Sequence, residues 1–440
     1  MILTGWGRYT KADCKVSRAR SPQDVQAAVA RGPLIARGNG RSYGDSAHLP
    51  EQTLDMRAMN RMLAFDAEAG LLVAEAGVVL GDVVETFLPR GWFPWVTPGT
   101  RFVTLGGMVA SDVHGKNHHK EGSISEYLEW IEVLTAGGEV ARCSRTENSQ
   151  LFSDTIGGMG LTGVILTVAM RLRPVETGWI HQQKFLTANL SSTLDLLSLL
   201  DSATYSVAWI DCLSKGRALG RSVVMMGEHA PLDRLGQSQK SDRYVCGPRR
   251  IKRVPFALPF NLFNPLFSRV FNSLYYWKNF FSPKNALIDW QTYFYPLDGV
   301  EGWNKIYGPK GFVQFQCVLP VETSRKGLSE LLQAVSASGQ ASYLCVLKKM
   351  GPEGIGSISF GREGYTLAMD FPVTKAMPDL IDRLHHIALS HGGRFYLAKD
   401  ARMGGEILSQ SDSRIEAFKA RRQPNSFKTF KSSQSERVNL

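Results

Sequence analysis

Cysteine pairs, long apolar runs and nucleic-acid-binding motifs are missing from this sequence, and each absence excludes a class of protein. The six cysteines are scattered without a Cys-x-x-Cys pair, which argues against a metal site or a disulfide framework and suits a reducing compartment. The N-terminal segment has no apolar run fit for a signal peptide, and no stretch approaches the roughly 20 apolar residues of a membrane span. No RNP box, zinc finger or basic region followed by heptads is found, so we expect no nucleic-acid partner.

Motifs of several enzyme classes are also absent. Because there is no Gly-x-Ser-x-Gly element and no cysteine in a catalytic context, covalent acyl transfer is disfavoured. The glycine-rich run at residues 38–45 does not have the form Gly-x-Gly-x-x-Gly opening a helix, since Pro50 follows it closely. A nicotinamide-binding Rossmann fold is therefore disfavoured as well.

The length and charge of the chain set further limits. With 440 residues the chain is too long for a single hydrophobic core, so we expect two domains. Hydrophobic residues make up 43% of the chain and charged residues 21%, which is ordinary for a globular protein. The net charge of +11 suits an anionic lipid surface or a phosphorylated substrate, and a generally basic surface is the simpler alternative.

Two glycine-rich segments hold the candidate functional groups. Residues 97–119 combine a Pro-Gly turn and a Gly-Gly pair with His114, His118 and His119, and we interpret them as one wall of a site for a large flat cofactor whose reactive ring His114 faces. A metal site is the alternative, because His114 and His118 have i, i+4 spacing, but the neighbouring glycines favour a loop. Residues 38–45, called the glycine loop below, offer clustered backbone amides that suit a pyrophosphate, with a plain surface loop as the alternative.

The hydrophobic pattern predicts an α+β fold. Ser21 and Pro22 begin a short helix, and short alternating strands follow it. From about residue 178, strand-like segments, one of them at 290–295, alternate with helical ones in a pattern that predicts an antiparallel sheet. Residues 403–440 are predicted to be helical and then to end in Ser-rich coil.

A basic aromatic insertion occupies residues 243–284. It contains eight basic residues and no acidic one. Three prolines (Pro255, Pro259, Pro265) prevent one continuous helix, and phenylalanines recur at three- or four-residue spacing at Phe256, Phe260, Phe263, Phe267 and Phe271. Such a segment is typical of a surface that lies on anionic lipid, and a pair of core helices under a long loop is the alternative.

Nine stretches of the chain form an ordered set of motifs: ARGNGRSYGD (36–45), PGTRFVTLGG (98–107), SDVHGKNHH (111–119), GLTGVI (160–165), AWIDCLS (208–214), FYPLD (294–298), WNKIYGPKGFVQFQ (303–316), MDFPV (369–373) and YLAKDAR (396–402). In these stretches the chain resembles the vanillyl-alcohol-oxidase-type FAD flavoproteins, and in particular those members that oxidise polyprenylphosphoryl pentoses. The similarity runs nearly from end to end. The resemblance implies a two-domain, α+β, FAD-binding PCMH-type fold, with an FAD-binding domain at 1–177, a substrate-binding domain at 178–393 and a C-terminal segment at 394–440 that returns to the FAD domain.

The same resemblance implies which residues hold FAD. The glycine loop would cradle the pyrophosphate, His114 would lie near the isoalloxazine ring, and Tyr396 would close over the cofactor. The implied cofactor-binding residues are Arg37, Gly38, Asn39, Gly40, Arg41, Ser42, Tyr43, Gly44, Gly99, Thr100, Thr104, Gly106, Gly107, Ser111, His114, Gly115, Ile165 and Tyr396. Because the glycine loop lacks the histidine or cysteine that attaches flavin covalently elsewhere in the superfamily, we expect non-covalent FAD and no metal.

The resemblance further implies oxidation of the 2′-hydroxyl of a polyprenylphosphoryl-β-D-ribose to a keto group. This is the first half of epimerisation to polyprenylphosphoryl-arabinose for cell-envelope glycan synthesis. The implied substrate-binding residues are Gln314, Gln316, Lys348, Ala368, Asp370 and Lys399, with Tyr43 beside them. An FAD oxidase acting on a soluble polyol or sugar lactone with O2 is the alternative.

Three residues are the catalytic candidates: Lys399, His114 and Tyr43. Lys399 is the expected base or hydroxyl-orienting group, with its pKa lowered by burial, although it could instead pair with Asp370 or Asp400. His114 is the second candidate, or a group that only binds the flavin and the backbone. Lys348 and Arg41 suit a phosphate better than a base role.

One position departs from the family pattern. Ala368 stands where the mycobacterial enzymes carry a pocket cysteine that is an inhibitor target, and Thr366 replaces an Asn. We expect activity to survive and covalent trapping of inhibitors to be lost. The implied partners are a separate NAD(P)H-dependent keto-reductase and a membrane surface. The expected location is the cytoplasmic face of the inner membrane, with the periplasmic face as the alternative.

Overall fold

A computed structural model describes residues 1–245, 251–256, 265–340, 342, 344–422 and 424–440. Of the predicted insertion, Pro259, Phe260 and Phe263 lie outside these residues. Within the described ranges, no helix combines the length and the apolar composition that crossing a bilayer requires.

The N-terminal part of the chain is built from short strands and helices. The strands are β1 (Ile2–Thr4), β2 (Lys11–Asp13), β3 (Val16–Arg18), β4 (Ile35–Arg37), β5 (Thr53–Asp55), β6 (Met62–Asp66), β7 (Leu71–Glu75), β8 (Trp92–Pro94), β9 (Leu128–Leu134), β10 (Val140–Ser144) and β11 (Val164–Pro174). The helices are α1 (Pro22–Ala30), α2 (Leu80–Phe87), α3 (Leu105–Ala110), α4 (His118–Glu121) and α5 (Ser149–Thr155).

These strands form a small parallel sheet, ordered β3-β5-β4, and an antiparallel sheet, ordered β10-β9-β11-β7-β6, in which β8 also pairs with β11. The predicted start of α1 is confirmed, because Ser21 Oγ accepts a hydrogen bond from the amide of Asp24 (3.2 Å) and Pro22 is its first residue. Helix α3 begins at Thr104, whose side chain accepts from the amide of Gly107 (3.4 Å). This cap fixes the segment that leads to His114.

The second part of the chain forms a large antiparallel sheet flanked by helices. The strands of this part of the chain are β12 (Trp179–Thr187), β13 (Tyr205–Ile210), β14 (Ser222–His229), β15 (Lys252–Arg253), β16 (Asn285–Asp289), β17 (Val300–Glu301), β18 (Phe312–Leu319), β19 (Cys345–Met350), β20 (Gly364–Pro372) and β21 (Arg394–Phe395), of which β15 and β17 pair in parallel apart from the large sheet. The helices of this part are α6 (Leu190–Leu199), α7 (Gln237–Ser241), α8 (Pro265–Phe281), α9 (Trp290–Phe294), α10 (Val321–Ser338) and α11 (Met377–Ser390). In the described residues the sheet order is β16-β12-β14-β13-β19-β20-β18-β21, which confirms the α+β class and the antiparallel sheet.

The two faces of this sheet have different chemistry. Phe315 and Met369 point into the core that α6, α10 and α11 cover. Because neighbouring side chains on a strand alternate, Gln314, Gln316 and Asp370 lie on the opposite face. We call this opposite face the pocket face. It is where the polar side chains of the candidate site meet.

Two sequence-based predictions are wrong. Residues 290–295 were predicted as a strand, but α9 forms there, because the Asp289 carboxylate caps it by accepting from the amide of Thr292 (2.8 Å). The Ser-rich end is not coil. It forms α15 (Ser433–Val438), in which Ser432 makes a capping box with Ser435.

The C-terminal residues cross back to the glycine loop. They form α12 (Gly405–Ser411), α13 (Arg414–Arg421), α14 (Pro424–Thr429) and α15. The Arg437 guanidinium bridges the buried carboxylates of Asp45 (2.7 Å) and Asp400 (2.8 Å). This ion pair ties the end of the chain to the glycine loop, and the domain boundaries at 177 and 393 stay predictions.

Candidate active site

The glycine loop follows β4 and has no space for side chains at two positions. A Cβ on Gly38 would lie 2.1 Å from Thr104 Oγ1, and a Cβ on Gly44 would lie 2.1 Å from the carbonyl oxygen of Asp400. The amide of Tyr43 donates to the carbonyl of Ala398 (2.9 Å), whereas the amides of residues 38–42 have no backbone acceptor in the described part of the chain. Clustered amides of this kind bind anions.

Three side chains near the glycine loop have different surroundings. Arg37 donates to two backbone carbonyls (2.8 and 3.0 Å), and Asn39 Nδ2 donates to the carbonyl of Phe102 (3.0 Å), so both shape the loop. The Arg41 guanidinium lies 4.2 Å from the centre of the Trp6 ring. Its Nε is buried without a hydrogen-bond partner among the described residues. Arg41 is therefore the cation of the loop that remains able to bind an anion.

The predicted cofactor-binding glycines at 99–115 fall into two pairs. A Cβ on Gly99 would meet no atom within 4 Å, and one on Gly107 would meet only Thr104 Oγ1 at 3.1 Å, so both border open space. A Cβ on Gly106 would lie 2.8 Å from the residue after β7, and one on Gly115 would lie 2.9 Å from a backbone carbonyl. Gly106 and Gly115 are thus needed for packing, and Gly99 and Gly107 leave room for a flat ligand.

His114 is buried among aromatic and polar groups. Its Nε2 lies 3.4 Å from Gln316 Nε2, and its ring centre lies 5.1 Å from that of Tyr396 and 5.4 Å from that of Phe360. The Tyr396 hydroxyl donates to the carbonyl of Ser111 (2.9 Å). Burial and nearby lysines hold the pKa of His114 well below its ordinary value, so the imidazole is neutral. Its Nδ1 is buried without a partner within the described ranges, as expected of a group that faces a ligand.

Other predicted cofactor residues lie in the segments around His114 and the glycine loop. Thr100 Oγ1 accepts from the amide of Phe102 (3.3 Å), and Ile165 is buried in β11 opposite Val133. Asp112 has a φ of +38°, which is the left-handed region, and it is buried. The turn at Asp112 directs the chain from α3 into His114. Together with the loop amides, these residues fit FAD.

The pocket face of the sheet lies across from His114 and carries the polar side chains of the candidate site. Gln314 Nε2 donates to one oxygen of Asp370, and the Tyr307 hydroxyl donates to the other at 3.5 Å. Gln316 Nε2 donates to Thr366 Oγ1 (3.2 Å), and Ala368 pairs directly with Gln316 across β18 and β20. Burial raises the pKa of Asp370 to about 7, against the lowering effect of its Gln314 hydrogen bond and of nearby Lys399.

Three half-buried lysines, Lys116, Lys348 and Lys399, lie near these residues. Burial, together with the charge of Lys348, lowers the pKa of Lys116 to about 7, and burial with the charge of Lys399 lowers that of Lys348 to about 7. Lys116 Nζ donates to the carbonyl of Tyr293, and Lys348 Nζ donates to the carbonyl of Gly115 (3.4 Å). The site is therefore rich in cations that an anionic group could neutralise.

Lys399 has the surroundings expected of a base. Its Nζ lies 3.8 Å from the centre of the Tyr43 ring. Burial lowers its pKa to about 8, with neighbouring Asp370 acting in the opposite direction. Asp400, one of its two possible partners, binds Arg437 instead. Burial raises the pKa of Tyr43 well above its ordinary value, so Tyr43 stays neutral and acts by contact.

The metal alternative has no geometric support. His118 Nδ1 accepts from the amide of Gly351 (3.1 Å), and His119 Nε2 lies 2.8 Å from the carbonyl of Ala203. The rings of His114, His118 and His119 are thus engaged with different partners and do not converge on one point.

Two residues near the site were not among the predicted site residues. Lys116 is the more prominent, and its place between His114 and His118 was the signal that could have included it. Tyr307 contacts Asp370 only because β18 and the preceding turn bring distant residues together, so no local pattern indicates it.

Comparisons with known proteins agree with this geometry. Residues 15–144 match the FAD binding domain family. The chain is 34% identical to decaprenylphosphoryl-β-D-ribose oxidase of Mycolicibacterium smegmatis, over all of this chain and 97% of that protein. It is 30% identical to L-gulonolactone oxidase of Bos taurus over 38% of this chain and 36% of that protein. Cytokinin dehydrogenase 5 of Arabidopsis thaliana is 35% identical over 23% of this chain and 19% of that protein.

These similarities confirm the expected FAD-binding oxidoreductase, whereas the residue roles and the non-covalent state of FAD stay predictions. The chain belongs to the family of FAD-binding oxidoreductases that includes decaprenylphosphoryl-β-D-ribose oxidase.

Proposed function

We propose that this protein oxidises the 2′-hydroxyl of a polyprenylphosphoryl-β-D-ribose to the 2′-keto sugar. A separate NAD(P)H-dependent reductase would then complete epimerisation to the arabinose form. The observation that carries the proposal is the group of Lys399, Asp370 and Gln314 on the pocket face, on the side of the sheet where Gln316 meets His114. The full-length similarity to a decaprenylphosphoryl-β-D-ribose oxidase supports the choice of substrate.

Lys399 acts as the base in this scheme. A pKa of about 8 leaves a useful fraction of neutral amine near neutral pH, and the neutral amine accepts the proton of the 2′-hydroxyl. Asp370, which accepts a hydrogen bond from Gln314, raises the pKa of that amine when the carboxyl is ionised. Bound FAD, held non-covalently by the amides of the glycine loop, supplies the acceptor for the hydride from C2′.

In this proposal Lys116, Lys348 and Arg41 bind the phosphodiester group that joins the prenyl chain to the ribose of the substrate. Lys116 and Lys348 are half-buried, and in addition to burial the charge of Lys348 lowers the pKa of Lys116 while the charge of Lys399 lowers that of Lys348, so a bound phosphate would relieve repulsion in this chain of lysines. Arg41, stacked on Trp6, is a third donor at the other end of the site. His114 is neutral and positions the ring and the sugar.

A sugar-lactone or polyol oxidase is the second candidate, because L-gulonolactone oxidase shares 30% identity over part of the chain. Anaerobic mixing of the purified holoenzyme with a short prenylphosphoryl-β-D-ribose, and in parallel with L-gulonolactone or free alditols, distinguishes the two candidate functions. We expect the prenylphosphoryl-ribose to bleach the visible flavin band and L-gulonolactone or free alditols to leave it unchanged. Bleaching by the lactone alone would reject the proposal. Acid precipitation should release the flavin into the supernatant if it is non-covalent.

A further inference from the structure

Helix α8 differs from an ordinary surface helix in which side chains it buries. Its most deeply buried residues are the polar Ser268, Asn272 and Asn279. Asn272 Nδ2 donates to the buried carboxylate of Asp211 (2.8 Å), and the half-buried Tyr275 and Tyr276 lie on the same inner side. A surface helix of a globular protein normally buries its apolar stripe.

The outer side of α8 carries large apolar side chains. Leu274 is 65% exposed, Trp277 is 50% exposed and Phe281 is 81% exposed. With Val270 they occupy positions i, i+4, i+7 and i+11, which lie on one stripe of a helix. We call these four residues the outer stripe. An exposed contiguous apolar surface of this kind marks an interaction site.

The charged residues of α8 and of the segment that contains it are of one sign. Arg269 and Lys278 flank the outer stripe on its two sides, and residues 243–284 contain no acidic residue. Long basic side chains beside an apolar stripe place their charges at lipid headgroups while their stems cover apolar surface. The same uniform positive charge disfavours a second copy of this chain on the stripe, because the two faces would repel.

The position of α8 relates it to the candidate active site. Tyr275 packs on Trp209 with ring centres 4.6 Å apart. In the sheet register Trp209 pairs with Val346, Val346 with Ala368 and Ala368 with Gln316, so all four side chains lie in one row on the pocket face. Three strand spacings of about 4.8 Å put Trp209 roughly 14 Å from the Gln316 strand. Helix α8 thus lies on the same side of the sheet as the pocket.

We propose that the outer stripe of α8 docks on the surface of an anionic phospholipid bilayer and holds the pocket face beside it. The docking itself does not depend on the proposed function. Its benefit does, because a prenylphosphoryl substrate resides in the bilayer and would reach the pocket along the Tyr275 and Trp209 rings.

Vesicle co-sedimentation of the full-length holoenzyme tests the docking, with no substrate and no turnover involved. The vesicles are phosphatidylcholine with or without phosphatidylglycerol. The wild type should sediment with the anionic vesicles and much less with the neutral ones. The double variant Leu274→Glu, Trp277→Glu should lose roughly tenfold or more of that binding, because each of these side chains buries a large apolar area in the interface.

Leu199→Glu is the matched control. Leu199 is 78% exposed at the end of α6, which covers the other face of the sheet, and its replacement should leave vesicle binding unchanged. Unchanged melting temperatures should show that both variants fold. Equal sedimentation of the double variant and the wild type would overturn the proposal. The proposal would also be overturned if the wild type did not sediment with anionic vesicles, or if it self-associated through the outer stripe instead. Each of these outcomes is independent of whether the enzyme oxidises a prenylphosphoryl-ribose.

Discussion

The glycine loop offers backbone amides to the candidate site, whereas the pocket face offers side chains. A Cβ on Gly38 would meet the Thr104 side chain and one on Gly44 would meet the backbone of Asp400, so the geometry depends on glycine at both positions. On the pocket face, Gln314, Asp370 and Lys399 come from three distant parts of the chain and depend on the sheet register. In the proposed function the glycine loop holds the cofactor and the pocket face performs the chemistry, so changes in each should have different consequences.

The largest effect is expected from Lys399→Ala. Removal of the base should slow anaerobic flavin reduction by about 10²- to 10⁴-fold, and the FAD content should stay at the wild-type level. Stopped-flow absorbance gives the rate, and the visible spectrum gives the content. Lys375→Ala, which removes an exposed lysine, is the control and should behave as wild type. A Lys399→Ala enzyme that is reduced at the wild-type rate would reject the base assignment.

A change in the glycine loop should reduce FAD binding, whereas Lys399→Ala should reduce the rate of flavin reduction. In Gly38→Ala the added methyl group meets Thr104 Oγ1 at 2.1 Å, so the loop must move and FAD affinity should fall about tenfold or more. Fluorescence titration of the apoprotein with FAD measures this. Gly137→Ala should have no effect, because its Cβ would meet only Thr135 Oγ1 at 3.7 Å. Normal FAD binding by Gly38→Ala would contradict a backbone cradle.

Changes at Lys116 and Lys348 should affect binding rather than chemistry. We expect Lys348→Met and Lys116→Met each to raise KM for a prenylphosphoryl-ribose by about tenfold and to change kcat much less, since the proposal assigns them to the phosphate and not to the reacting carbon. Lys349→Met is the control on the same strand, because Lys349 pairs with Asp201 (2.9 Å). A loss confined to kcat would place these lysines in the chemical step instead.

The pH dependence sharpens the role of Asp370. The neutral amine is the active form of Lys399, so flavin reduction should rise about tenfold per pH unit below the pKa of about 8 and level off above it. Asp370 stabilises the charged amine, so Asp370→Asn should move the inflection to lower pH. Asp382→Asn, which removes a surface ion pair with Arg402, should leave it in place. An inflection that Asp370→Asn does not move would show that the two groups are not coupled.

The smallest effect is expected from Tyr307→Phe. It removes one long hydrogen bond to Asp370, 3.5 Å in length, and should slow flavin reduction less than about tenfold. The same stopped-flow assay measures it. A loss as large as that of Lys399→Ala would mean that Tyr307 touches the reacting atoms.

The sequence predicted the glycine loop and His114 better than it predicted the side chains of the pocket face, and the reason is physical. The glycine loop and His114 sit in short local runs, and the tight turns and close approaches that glycines allow can be read locally. Lys399 and Asp370 were titratable candidates from the sequence, but their place in one pocket was reached only through the family resemblance, because pairing of β18 with β20 and packing of the 396–402 turn are long-range events. The wrong strand at 290–295 has a local origin instead: the aromatic residues suit a strand, but the cap at the adjacent Asp289 starts a helix.

The central claim is that the glycine loop binds FAD and the pocket face carries out the oxidation. It is tested most directly by measuring FAD content and anaerobic flavin reduction on the same samples of Lys399→Ala and Gly38→Ala. We predict that Lys399→Ala retains full FAD and is not bleached by a prenylphosphoryl-ribose. We predict that Gly38→Ala loses FAD, and that the fraction still loaded is bleached at close to the wild-type rate. Loss of FAD in Lys399→Ala, or a loaded Gly38→Ala enzyme that cannot be bleached, would contradict the separation of cofactor binding from chemistry.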